Sequence, residues 1–149
     1  MHFTEKIDAV LAFKGRGLFS VAPDVSVFDA VQEMADRDVG ALAVLAEDRL
    51  IGVFSERDYA RKVILLGKAS KETRVEEVMS SPAVVVTPDN TIDECLRMMT
   101  TYRLRHLVVM EDDRPVAMIS IGDLVNRIIS VQVEMIDQLH SYISGSYPG

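Results

Sequence analysis

The chain repeats itself, and this constrains its fold more than any single motif could. Shifting the sequence by 65 positions lays residues 21–63 over residues 86–128 without a gap. Val21, Pro23, Asp24, Met34, Leu42, Val44, Asp48, Arg49, Ser55 and Asp58 then fall on Val86, Pro88, Asp89, Met99, Leu107, Val109, Asp113, Arg114, Ser120 and Asp123. Two segments related in this way must adopt the same local structure, so each element read in one copy is tested by the other.

Each copy opens on a β-rich apolar run, Leu18 to Val21 or Ala83 to Val86, followed by a Pro-Asp turn signal. A helix follows, because Ser26 with Asp29 and Thr91 with Glu94 have the hydroxyl-x-x-acid spacing that caps a helix start. Apolar residues then recur at helical spacing, as Val27, Ala30, Val31 and Met34, and as Ile92, Cys95, Leu96 and Met99. Two β-hairpins come next, Ala41–Leu45 with Leu50–Phe54 and Leu107–Met110 with Val116–Ile119. A second helix closes each unit, over about Glu56 to Leu66 in the first copy and from about Ile121 in the second. Short helices carrying Ile7, Val10 and Leu11, or starting after Thr73, precede the two copies.

The predicted fold is therefore α/β (α+β): two strand-helix-strand-strand-helix units packed about a pseudo-twofold axis, since neither small sheet buries both faces alone. The boundaries read as 1–67 for the first repeat with its N-terminal helix, 68–130 for the second, and 131–149 for a C-terminal helical extension.

Charge narrows the function. Sixteen basic against 23 acidic residues give a net charge of −7, which disfavours nucleic acid as a partner. One cysteine, Cys95, excludes an internal disulfide framework and a Cys-x-x-Cys motif, and its place on an apolar helical stripe predicts a buried thiol. The first residues include Glu5, Lys6 and Asp8, unlike a secretory leader, and no apolar run approaches the roughly 20 residues of a membrane span. A soluble cytoplasmic protein is expected. His2 and His140 are too isolated to suggest a metal site, and no serine has an evident His and acid partner, so neither a metal nor an enzymatic activity is predicted.

The chemistry-bearing motif stands where each hairpin meets its second helix, as Phe54-Ser55-Glu56-Arg57-Asp58 and Ile119-Ser120-Ile121-Gly122-Asp123. A carboxylate in the first helical turn can accept hydrogen bonds from both hydroxyls of a ribose, while the serine and the free N–H groups of the helix start suit a phosphate oxygen. The same Ser-x-x-Asp spacing is that of an ordinary capping box, worth about 1 kcal/mol. The two roles are compatible, because one carboxylate oxygen can cap while the other faces a ligand.

Tandem units ending in apolar-Ser-x-x-Asp, together with Ser55 to Val63, Arg103-Leu104-Arg105-His106-Leu107 and Ser120 to Leu124, resemble the cystathionine β-synthase (CBS) domain pair, or Bateman module. The resemblance covers nearly the whole chain. It implies a non-enzymatic regulatory module that binds adenosine-containing nucleotides (AMP, ADP, ATP or NAD) in clefts between the repeats and alters its contacts with a protein partner. One cleft would combine Met118, Ser120, Gly122 and Asp123 with Lys14, Phe19, Ser20, Val39 and Gly40, with Arg105 and His106 toward the phosphate. The other would set Ser55, Arg57 and Asp58 against Met79, Ser80, Val84 and Leu104. There Gly40 and Ala41 stand in place of the Arg-His pair, so charge must come from Arg57, Arg61 or Lys71. Adjacent strand residues point to opposite faces, so only one of Arg105 and His106 is expected to reach a given ligand. Lys14-Gly15-Arg16-Gly17 could wrap a phosphate with backbone N–H groups, but it lacks both the Gly-x-Gly-x-x-Gly and the Walker patterns and reads rather as a flexible connector.

Beyond Asp123, apolar residues continue at helical spacing through Leu124, Ile128, Val131, Met135, Leu139 and Tyr142, with a second row beside them. So wide an apolar face on so small a domain predicts a homodimer, or a ligand-independent interaction module acting through this helix.

Overall fold

The computed structural model describes residues 3–144. The duplication becomes two three-stranded sheets of the same topology. The first contains β1 (Ser20–Val21), β2 (Ala41–Ala46) and β3 (Arg49–Ser55); the second contains β4 (Val85–Val86), β5 (His106–Glu111) and β6 (Arg114–Ser120). In each, the short strand pairs in parallel with the middle one, Ser20 opposite Ala43 and Val85 opposite Val108, and the hairpin closes the sheet antiparallel. The hairpin turns place Glu47 and Asp48, and likewise Asp112 and Asp113, at positive φ. Consecutive left-handed residues make the tight turn whose twist suits a hairpin, and Asp tolerates that conformation better than most residues.

The helices expected after the Pro-Asp turns are α2 (Val27–Arg37) and α5 (Ile92–Tyr102). Ser26 and Thr91 cap them by accepting from the N–H groups of Asp29 and Glu94. Their apolar stripes bury Val27, Ala30 and Met34, and Ile92, Cys95 and Met99. Burial pushes the Cys95 thiol up to about 12, with the charge of Glu94 adding to the effect, so it remains protonated as a small apolar group.

The closing helices of the two repeats differ from each other. In the second, α6 (Ile121–Ser144) runs without a break past residue 130; residues 145–149 of the predicted extension lie outside the described residues. In the first, α3 (Glu56–Asp58) passes directly into a π-helical segment, Tyr59–Ile64, where the N–H groups of Leu65 and Lys68 reach back five residues to Ala60 and Val63. The expected straight helix is thus wound wider.

The lead-in helices are exchanged between repeats. α1 (Ile7–Lys14) precedes the first repeat in sequence, yet Ile7, Val10 and Leu11 are fully buried in the second repeat's core with Val86, Ile92, Leu107, Ile119 and Leu124. α4 (Val75–Val78) precedes the second repeat and buries Val75 and Val78 in the first, against Val27, Leu42, Phe54 and Val63. Backbone bonds fix both docks. The N–H groups of Ile7 and Asp8 donate to the carbonyls of Asn90 and Pro88, while those of Val75 and Glu76 donate to the carbonyls of Val25 and Pro23. Packing therefore crosses the boundary drawn at residue 67. Among the described residues, no helix is long and apolar enough to cross a membrane.

Candidate functional site

The Ser-x-x-Asp motifs sit where a strand turns directly into a helix, and in both the serine caps that helix. Ser55 Oγ accepts from the N–H of Asp58, and Ser120 Oγ from the N–H of Asp123. Each carboxylate reaches back through Oδ2 to the N–H of its serine, at 3.0 Å in the first repeat and 2.8 Å in the second. The difference lies in what else each acid holds.

Asp58 is committed on both oxygens. Oδ2 also accepts from Ser55 Oγ, while Oδ1 accepts from Ser80 Oγ at 2.9 Å and pairs with Lys62 Nζ at 3.0 Å; the side chain is 9% exposed. Asp123, 22% exposed, takes its remaining contact, Lys14 Nζ at 2.7 Å, on Oδ2 as well. Among the described residues its Oδ1 has no hydrogen-bond partner. Burial pushes the Asp123 carboxyl up, but the Lys14 ammonium and the Ser120 N–H outweigh it and hold the group below the usual carboxylate range. It is an anion at neutral pH.

A first cavity of about 510 Å³ opens between the repeats. Of the residues predicted for this cleft, Ser55, Arg57, Asp58, Ser80, Val84 and Leu104 line it. Met79 does not, because its thioether packs beside β3, where a Cβ on Gly52 would lie 2.7 Å from Met79 Sδ. The wall also includes Glu56, Arg61, Lys62, Arg103, Arg105 and His106. Arg57 Nη1 donates across the joint to the carbonyl of Arg103 at 3.0 Å. Lys71 lies elsewhere, stacked over the Phe28 ring.

A second cavity of about 480 Å³ is lined by Lys14, Phe19, Val39, Gly40, His106, Met118, Ser120 and Asp123, as predicted, with Asp38, Ala41 and the rest of the Lys14-Gly15-Arg16-Gly17 segment in addition. Three predicted residues are missing from its wall. Ser20 starts β1, where it pairs with Ala43 of β2, and its neighbour Phe19 faces the cavity instead. Gly122, in the first turn of α6, lies outside that wall. Arg105 lines only the first cavity, whereas His106, the first residue of β5, borders both. Only His106 of the pair reaches the second cavity, as expected, but both residues line the first, because Arg105 precedes β5 and is not bound by its alternation.

His106 and Gly40 form the partition between the cavities. A Cβ on Gly40 would lie 3.2 Å from Glu56 Oε1 and 3.4 Å from the His106 ring, so a larger residue would press on that wall. Burial lowers the His106 pKa below 6.5; Asp123 opposes this, and Lys14 and Arg105 reinforce it. The imidazole is neutral at physiological pH.

Sequence reasoning missed the convergence of Arg103 and Lys62 on the first cavity. A signal was present in the alignment of the copies: Arg103 and Arg105 stand where the first repeat has Asp38 and Gly40, and Arg57 and Arg61 where the second has Gly122 and Asn126.

The CBS domain family model matches residues 15–64 and 75–130. Over 83% of its length the chain is 37% identical to the mitochondrial CBS domain-containing protein CBSX3 of Arabidopsis thaliana, and the match spans 63% of that protein. A protein with CBS domains from Burkholderia ambifaria MC40-6, provisionally ascribed to signal transduction, shares the fold with a TM-score of 0.81 at 41% identity, covering 84% of this chain and 94% of the other. A hexameric CBS-CP12 protein from bloom-forming cyanobacteria superposes with a TM-score of 0.72 at 25% identity, covering 80% and 66%.

Proposed function

The chain belongs to the CBS-domain family, and from that premise we propose that it is a non-enzymatic regulatory module: an adenosine-containing nucleotide (AMP, ADP, ATP or NAD) binds between the repeats and changes the surface offered to a protein partner. The observation that carries this reading is the pair of cavities at the joint, each with a Ser-x-x-Asp at its edge and each within the roughly 300–1,000 Å³ usual for small-molecule sites. In the second cavity Asp123 keeps one oxygen for a ribose hydroxyl, and Lys14 stands beside it as a cation for phosphate. In the first, the acid is already satisfied and the cations supply the recognition. A ligand held by both repeats shifts their arrangement only as far as it favours one arrangement over the other.

Thermal unfolding of the purified protein with AMP, ADP, ATP and NAD tests this, because a ligand that binds the folded state raises its stability by about 2.7 kcal/mol at a hundred times Kd. Asp123→Ala should abolish the part of the shift due to the second cavity. If none of the four ligands moves the transition at millimolar concentration, the proposal fails.

A second reading is supported by the exposed apolar residues of α6, among them Val125, Ile129, Val133, Ile136 and Leu139. Such a face is costly in water. It suits a homodimer, or a partner protein held independently of nucleotide.

A further inference from the structure

The two cavities arose by duplication, yet their charges differ. The second carries two cations against two carboxylates, and both cations are paired: Lys14 with Asp123, and Arg16 with Glu111 and Asp8. The first carries five cations against two carboxylates. Among the described residues, the side chains of Arg61, Arg103 and Arg105 make no hydrogen bond or ion pair, although the backbone carbonyls of Arg103 and Arg105 accept from Arg57 and from the Ile121 N–H, respectively. They approach from both repeats: Arg61 from the π-helical segment, and Arg103 and Arg105 from the loop between α5 and β5. Arg103 ends α5 in the left-handed conformation at φ 55°, the same backbone state as its counterpart Asp38 at φ 54°. The backbone is conserved between the copies while the charge is reversed.

In a chain of net charge −7, three unneutralised guanidiniums around one cavity are a field for a compact polyanion. Guanidinium forks match phosphate oxygens bidentately, and several at once reward a ligand with several phosphates over one with a single phosphate. We infer that the first cavity selects its ligand by phosphate number and takes the di- or triphosphate end of a nucleotide, whereas the second, electrically balanced, takes a nucleoside or its monophosphate. This deepens the proposed nucleotide reading and rests on it for the nucleoside part alone; the oligophosphate preference stands on the first cavity's charge.

The test is isothermal titration of the full chain with AMP, ADP, ATP and inorganic tripolyphosphate. It is repeated for Arg103→Asp, Arg105→Gly and Asp123→Ala, with melting curves as a check on folding. Affinity at one site should rise from AMP to ATP and fall steeply with added salt. Arg103→Asp and Arg105→Gly, which install the counterpart residues of the other repeat, should each cost at least about tenfold in ATP affinity and leave AMP binding at the second site unchanged. Asp123→Ala should do the reverse. If all adenosine nucleotides bind equally, or if the ATP preference survives in both arginine variants, the inference is wrong. Tripolyphosphate binding in the absence of any nucleotide binding would overturn the nucleotide reading, and with it the nucleoside part of this inference, and leave the first cavity's oligophosphate preference standing; Arg61→Ala provides a third variant should either of the others fail to fold.

Discussion

Asp58 and Asp123 occupy equivalent positions, and their removal should have unequal consequences for folding. Replacing Asp58 by Ala deletes the reciprocal half of a capping box, at about 1 kcal/mol. It also strips the partner from Ser80 Oγ at a site where the carboxylate is only 9% exposed. Donors left unsatisfied in a partly buried place cost about 1–3 kcal/mol. Lys62 adds little, because it is 41% exposed and rehydrates. The total is about 2–4 kcal/mol, which at about 2–4 °C per kcal/mol for a chain of this size lowers the melting temperature by about 4–16 °C. Asp123→Ala loses the same capping contribution and a half-solvated pair with Lys14, about 1–2 kcal/mol in all. Urea unfolding followed by circular dichroism reads both directly, and the exchanged lead-in helices should make each transition a single cooperative one. If Asp123→Ala proves as destabilising as Asp58→Ala, the view of one acid as structural and the other as free for ligand is refuted.

Three further outcomes follow from the geometry. His106 and Asp123 both have lowered folded pKa values, so for each the unfolded chain takes up the proton first; stability is complete above pH 6.5, declines as pH falls below it, and declines again below 3.8. Urea midpoints at about pH 7.5 and about pH 5 should differ in that direction, and His106→Gln should reduce the difference. A Cβ at Gly52 would meet the Ser80 carbonyl at 2.8 Å as well as Met79, so Gly52→Ala should cost about 1–3 kcal/mol in the same urea assay and weaken ligand binding at the first cavity through Ser80. Removing residues 131–149 should convert a dimer to a monomer in light scattering after size exclusion; an intact chain that is already monomeric at micromolar concentration removes the dimer proposal.

Much of the architecture was legible because the duplication let each copy vouch for the other. The hairpins, the capped helices and the apolar stripes are all set by nearest neighbours, through alternation, hydroxyl caps and turn-forming Asp residues. What the pattern did not carry was the partner of each stripe. Ile7, Val10 and Leu11 announce a buried face, but nothing local says that the face is buried in the repeat further along the chain. The π-helical widening after Asp58 was hidden for a similar reason, since Tyr59 to Ile64 has an ordinary helical composition. At the candidate site, motif spacing located Ser55, Asp58, Ser120 and Asp123. Spacing was silent on charge converging from distant loops, which is why Arg103 and Arg105 are better read by subtracting one copy from the other than by aligning them.

The exchange of α1 and α4 has a consequence for any attempt to take the molecule apart. A chain severed near Gly67 yields two pieces, each bearing the plug for the other's interior and lacking its own. Neither piece is a miniature of the whole; mixed together, they regain the native interior only by finding one another.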